Sequence, residues 1–76
     1  MQVRTLFFAA YRDALGTGAI DVDIPEGATV GELVTCLRSR GAPFDRLPEA
    51  PALAINRSVV RGDALLTQGD EIAFLP

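Results

Sequence analysis

Only one segment of the chain has the apolar spacing of an amphipathic helix of several turns. The apolar residues of this segment recur at intervals of three or four, and they are Val30, Leu33, Val34 and Leu37. Thr29 and Glu32 form a capping-box pattern at its start, and Gly41 is a natural helix stop. The spacing therefore predicts one main helix over residues 30–40, so most of the remaining fold has to be built from strands.

Short segments of alternating or β-branched residues on both sides of this helix predict strands. They cover residues 2–9, 19–24, 52–56 and 59–60, and a last strand follows the Gly69-Asp70 turn. In the first strand, alternation puts Val3, Thr5, Phe7 and Ala9 on one face and Arg4, Leu6 and Phe8 on the other. In the last strand, Ile72 and Phe74 are predicted to point to the helix, and Ala73 and Leu75 to point away.

The order of these elements predicts the fold class. A turn or two of helix is expected at residues 11–15, and the proline-rich residues 42–51 are expected to form a loop over Phe44 and Leu47. A hairpin of two strands, a crossing helix and then more strands give an α+β fold. We expect a mixed sheet of four to five strands with one main helix packed on one face, in a single domain over residues 1–76.

The composition argues against several classes of function. The chain has seven arginines, no lysine and a net charge of −3, with no long basic stretch, so nucleic acid is not expected as a partner. No apolar run approaches the ~20 residues of a membrane span, and we expect a cytoplasmic protein. Without histidine and with one cysteine, a firm metal site is not expected. A phosphate-binding loop and a catalytic triad are also missing, so the chain is not expected to be catalytic alone.

Five stretches of the sequence, taken in order, are similar to a known family. They are residues 3–9, 12–16, 28–33, 54–60 and 66–76, the last of which ends in Phe74-Leu75-Pro76. Each stretch is weakly specific by itself, but together they cover nearly the whole chain in register. On these residues the chain resembles the ubiquitin-like β-grasp sulfur carriers, and most closely the small subunit of molybdopterin synthase. The resemblance implies the ubiquitin-like β-grasp fold.

The resemblance also implies a chemistry that is carried by the chain terminus. The family continues past the position of Pro76 and ends in Gly-Gly, so we expect such a tail to follow Pro76. A ubiquitin-activating-type adenylyltransferase would use ATP to adenylate the terminal carboxylate, which would then accept sulfur as a thiocarboxylate. The implied function is sulfur donation to a pterin precursor in molybdenum cofactor biosynthesis, in a heterotetramer with the large subunit of molybdopterin synthase. No permanently bound cofactor is expected.

An apolar surface is predicted on the face of the sheet opposite the helix. In the β-grasp arrangement the first and last strands lie side by side and parallel, which brings Leu6 and Phe8 next to Leu75. An apolar patch that no helix covers is typical of a partner-binding site. By resemblance, this face binds both the activating enzyme and the large subunit, and Arg12 lies where a family arginine contacts partners near the tail. The predicted partner-binding residues are Leu6, Phe8, Arg12, Val59, Phe74, Leu75 and Pro76.

Several alternatives are open from the sequence. A sulfur carrier of the thiamine pathway, or of another pathway, would share the fold and the Gly-Asp-Glu turn. A ubiquitin-like interaction module would lack a transferable tail, and the apolar face could be ordinary surface apolarity. Cys36, at the flank of the apolar helix stripe, is predicted to be a small buried residue and not a reactive thiol.

Overall fold

The computed structural model describes all residues 1–76 and consists of five strands, two α-helices and one turn of 3-10 helix. In chain order they are β1 Gln2–Phe7, α1 Ala9–Leu15, β2 Ala19–Asp23, α2 Val30–Arg38, the 3-10 helix Phe44–Arg46, β3 Leu53–Ile55, β4 Ser58–Val60 and β5 Glu71–Phe74. The predicted α+β class is confirmed. Neither α-helix has the length and apolar character needed to cross a membrane.

All five strands form one mixed sheet in the order β2-β1-β5-β3-β4. The pair β1 and β5 is parallel, and every other neighbouring pair is antiparallel. Leu6 lies opposite Ala73, and Phe7 lies opposite Phe74. The first and last strands of the chain are thus neighbours in the middle of the sheet, as the β-grasp arrangement predicts.

Helix α2 begins with the predicted capping box. The Glu32 backbone N–H donates to Thr29 Oγ1 at 3.2 Å, and the Thr29 backbone N–H donates to Glu32 Oε1 at 3.3 Å. The next free amide of the first turn, that of Gly31, donates to the Gly62 carbonyl at 2.8 Å. A Cβ at position 31 would lie 3.0 Å from that oxygen, so glycine permits this close approach. The helix ends at Arg38, two residues before the predicted end, because the Arg40 N–H donates to Leu37 and tightens the last turn.

The core lies between α2 and one face of the sheet. Fifteen buried apolar residues form it, among them Leu33 and Leu37 of α2 and Ile72 of β5. The rings of Phe7 and Phe74, adjacent on the two parallel strands, have centroids 5.2 Å apart under the helix. Burial of each such ring contributes about 2 kcal/mol to the free energy of unfolding. The predicted inward face of β1 is confirmed for Val3, Thr5 and Phe7, and the Thr5 hydroxyl donates to the Ile20 carbonyl at 3.0 Å.

Three local predictions are corrected by the structure. Strand β1 ends at Phe7 and not at residue 9, because Ala9 has a left-handed φ of 47° and starts α1. The turn between β3 and β4 consists of Asn56 and Arg57, one residue earlier than predicted. Cys36 is half-buried and not fully buried, because it lies at the edge of the α2 stripe. In the predicted loop, Leu47 is buried and Phe44 half-buried, as expected.

A hydrogen-bonded cluster around Asp70 fixes the start of β5. The Asp70 carboxylate accepts from the Thr67 backbone N–H at 2.8 Å and from Asn56 Nδ2 at 3.0 Å. The other end of the Asn56 amide, Oδ1, accepts from the Glu71 N–H at 3.0 Å. Burial acts to raise the pKa of the Asp70 carboxyl, but these hydrogen bonds from Thr67 and Asn56 outweigh it and hold that pKa below its ordinary value. The ionised carboxylate therefore ties three segments together, namely β5, the β3–β4 turn and the preceding loop.

Asp70→Asn is expected to lower the free energy of unfolding at neutral pH by about 2 kcal/mol. The new side-chain NH2 would face the NH2 of Asn56, and turning the Asn56 amide over would remove the acceptor of the Glu71 N–H. Because the pKa of Asp70 is lowered by folding, its contribution is present above the unfolded-state pKa and is lost as the pH falls through the folded-state pKa. Urea unfolding of both proteins should show their difference shrinking below about pH 4. A difference that does not change with pH would contradict this role of the carboxylate.

Candidate functional site

A row of apolar residues crosses the face of the sheet that α2 does not cover. Residues directly opposite one another on neighbouring strands share a face, so the registers of the four strand pairs define this row. From β2 to β4 it consists of Ala19, Leu6, Ala73, Ala54 and Val59. Leu6 and Ala73 are half-buried, whereas the Val59 side chain is 76% exposed. The outer face is therefore apolar across its whole width at this level.

The apolar surface continues toward the carboxyl end of β5. Phe8 keeps an extended backbone with φ −121° and ψ 159°, so its side chain lies on the opposite face from Phe7 and is 46% exposed. The N–H of Leu75 donates to the Ala52 carbonyl at 2.9 Å, which holds this half-buried residue in line with β5. The apolar patch is defined here as Leu6, Phe8, Val59, Ala73 and Leu75. It surrounds the end of the sheet at which β5 stops.

The opposite end of the same face is charged. Arg4 Nε and Asp21 Oδ1 are 3.1 Å apart in an exposed ion pair, and Glu71 lies opposite Arg4 on β5. Asp23, one step further along β2, is also exposed. The outer face is thus charged near the start of β5 and apolar near its end. A partner that binds the apolar patch would therefore lie next to the carboxyl end of β5.

Arg12 lies beside the apolar patch on helix α1. Its backbone N–H donates to the Phe8 carbonyl at 3.4 Å, one helical turn back, and its aliphatic stem runs over Gly18. The side chain is exposed, and the three ion pairs of the domain involve the amino terminus, Arg4 and Arg38. A cation without an intramolecular partner is therefore available next to Phe8.

One predicted partner-binding residue, Phe74, is corrected. Its side chain is fully buried and packs against the Phe7 ring at an interplanar angle of 43°, while Tyr11 meets it edge-on at 6.0 Å between ring centroids. Strand alternation puts Phe74 on the same face as Ile72, so it supports β5 from the core and cannot be contacted by a partner. Leu6, Phe8, Arg12, Val59, Leu75 and Pro76 all remain accessible at least in part.

Two members of the apolar row, Ala19 and Ala54, were missed from the sequence. Their place in the row depends on how β2 and β3 are registered against β1 and β5, and alternation within one strand does not give that register. Neither residue is large, so hydrophobicity alone gave no signal.

The arrangement is suited to binding a protein surface. The five side chains of the apolar patch carry no acid, base or nucleophile, and no pocket opens on the domain. The thiol, Cys36, belongs to α2 on the other side of the sheet. What the patch offers is a half-exposed aromatic ring and aliphatic groups, which bind a complementary apolar surface.

Comparison with known proteins gives consistent results. The model of the ThiS family matches residues 5–76 of this chain. The molybdopterin synthase sulfur carrier subunit of Escherichia coli is 35% identical over 77 residues, with 97% of this chain and 93% of that protein covered.

Solved structures show the same fold. A Pyrococcus furiosus protein, provisionally assigned as molybdopterin converting factor subunit 1, superposes with a TM-score of 0.85 at 26% identity and covers 100% of this chain and 97% of its own. A Helicobacter pylori complex of subunits 1 and 2 of molybdopterin-converting factor contains a chain with a TM-score of 0.73 at 21% identity, covering 100% of this chain and 93% of that one. The family model spans nearly the whole sequence and the sheet order is that of a ubiquitin-like β-grasp, and on both grounds the chain belongs to the ThiS family.

Proposed function

We propose that this chain is a sulfur carrier, the small subunit of molybdopterin synthase, which donates sulfur from a C-terminal thiocarboxylate to a pterin precursor. The observation that carries the proposal is the position of the apolar patch around the end of β5. A partner that covers this patch lies next to whatever chain follows Pro76. The name of the Escherichia coli relative, similar over nearly the full length, supports the molybdopterin pathway over the thiamine pathway.

The chemistry requires a tail beyond the domain. A carboxylate does not react with a sulfur nucleophile by itself. An adenylyltransferase of the ubiquitin-activating type would therefore use ATP to form an acyl-adenylate with release of pyrophosphate, and sulfur at the sulfide level would then displace AMP and leave the thiocarboxylate. A tail ending in Gly-Gly suits both active sites because glycine lets the backbone approach closely. About five extended residues after Pro76 would reach ~17 Å, enough to enter a buried pocket while the domain stays outside.

The folded domain then serves to position the tail. Two partners, the activating enzyme and the large synthase subunit, would bind the same apolar patch in turn and receive the same terminus. The domain itself supplies no reacting group, so the transferase activity belongs to the complex. Because both partners act in the cytoplasm in this scheme, the carrier is assigned to the same compartment.

Phe8→Ala is expected to weaken binding of both partners by about 2 kcal/mol, roughly 30-fold in Kd, because it removes the large aromatic side chain of the apolar patch. Isothermal titration calorimetry against the large subunit and against the adenylyltransferase measures this. Leu65→Ala is the matched control, since Leu65 is 67% exposed but bridges to Thr29 at the start of α2. Equal affinities for wild type and Phe8→Ala, or an equal loss in the control, would contradict the assignment of the patch.

The mass of the protein isolated from its own cells is expected to include a tail after Pro76 that ends in Gly-Gly. Removal of the last glycine should abolish thiocarboxylate formation, because the new terminus no longer reaches the adenylation site. The same variant should bind the large subunit with an affinity close to that of wild type, since the apolar patch is intact. Mass spectrometry detects the mass increase of a thiocarboxylate, in which a sulfur atom replaces one oxygen of the terminal carboxylate. A native terminus at Pro76 would rule out the carrier role and leave an interaction module.

A further inference from the structure

Backbone strain in this domain is concentrated next to the exposed apolar side chains. Three residues other than glycine have positive φ, and they are Ala9 at 47°, Asn56 at 48° and Arg57 at 75°. Ala9 directly follows Phe8, and the Asn56-Arg57 pair precedes β4, whose central residue is Val59. Left-handed backbone at residues that carry a Cβ is retained where the surrounding structure or a function requires it.

Arg57 is the least expected of the three. A two-residue hairpin turn with both φ values positive favours asparagine first and glycine second. Asn56 follows that preference, but arginine occupies the glycine position. Its side chain is exposed and joins none of the three ion pairs of the domain. No ion pair or side-chain hydrogen bond within the domain therefore explains why arginine occupies this position.

The turn that carries Arg57 is held rigidly. The Asn56 side chain donates to Asp70 and accepts from the Glu71 N–H, and the Asn56 N–H donates to the Glu71 carbonyl at 2.8 Å. These bonds tie the turn to the central strand β5. The Arg57 guanidinium thus extends from a fixed support, two residues before the 76% exposed Val59 of the apolar patch.

The apolar patch has an arginine near it on each side of the sheet. The net charge is −3, yet Arg12 beside Phe8 and Arg57 two residues before Val59 are both cations without an ion-pair partner in the domain. Of the acidic residues of the same face, Asp21 pairs with Arg4. Glu71 lies between Arg4 and the Arg57 turn, because its backbone is bonded to Asn56. Such a surface is complementary to a partner with an apolar centre and carboxylates at the rim.

Resting on the proposed function, we propose that Arg57 is a specificity-determining contact that binds a carboxylate on the protein covering the apolar patch. The planar guanidinium suits a carboxylate because it can donate two parallel hydrogen bonds. The free domain keeps arginine at this strained left-handed position because the side chain is needed to bind the partner. Near Val59, this contact would let the domain discriminate between partners, which the aliphatic side chains alone do not do.

The test uses Arg57→Gly, because this substitution should raise the stability of the free domain and lower its affinity for the partner. Glycine removes the strain of the turn, so the urea midpoint of the free domain should rise by about 0.5 M. The complex with the large synthase subunit should weaken about fivefold at low salt, and its affinity should fall less steeply with added salt than that of wild type. Arg57→Lys keeps the charge but not the two parallel hydrogen bonds, so it should bind more weakly than wild type but more tightly than Arg57→Gly. Arg57→Asn tolerates the left-handed turn and should bind like the glycine variant.

Arg46→Ala removes a charge from the 3-10 helix on the α2 side and should leave binding unchanged. Wild-type binding together with equal binding by Arg57→Gly would overturn the inference and leave the carrier function intact. A loss of affinity in Arg57→Gly that is as large at high salt as at low salt would also overturn it, because the charge would then not be the cause. Failure of the wild type to bind the large subunit would overturn the proposed function and this inference together.

Discussion

The parallel pairing of β1 with β5 is the constraint on which the rest of the structure depends. In the observed register, Phe7 lies beside Phe74 under α2, and Leu6 lies beside Ala73 in the apolar row on the other face. A slip of one residue would move the phenylalanine rings to solvent and bury the apolar patch, so core burial and the binding face select the same register. Because β5 is central, its end is held by strands on both sides, and a chain that continues from it starts from a defined point.

The fold leaves one face of its sheet without a helix. The inner face therefore forms the core that stabilises the domain, and the outer face is left accessible for binding. Helix α2, capped by Thr29 and Glu32, covers the inner face and provides four of the fifteen core residues. In a domain of this size a second covering helix would add stability, but it would occupy the surface that a partner needs. The outer face combines a charged end, where Arg4 and Asp21 pair, with the small residues Ala54 and Ala73 between the larger apolar groups.

Most of the fold followed from the sequence because its signals are local. The capping box and the spacing of the α2 residues gave that helix, and alternation gave the two faces of β1. Alternation also predicted the inward position of Phe74, which conflicts with its assignment as a partner-binding residue. Two features were not predicted because they depend on residues distant in the chain: the register that completes the apolar row, and the hydrogen bonds from Asn56 to Asp70. Positive φ at Ala9 and Arg57 was also not predictable, because neither residue type favours it and only the tertiary structure imposes it.

The central claim is that the domain is bound through the sheet face around the end of β5, so that the terminus is delivered to the partner. The most direct measurement is a titration of the isotope-labelled chain with the large synthase subunit, followed residue by residue through its NMR amide signals. We expect the largest changes at Leu6, Phe8, Ala73 and Leu75, with the outer surface of α2 unaffected. Changes centred on α2 and Leu65, with the apolar patch unperturbed, would contradict it.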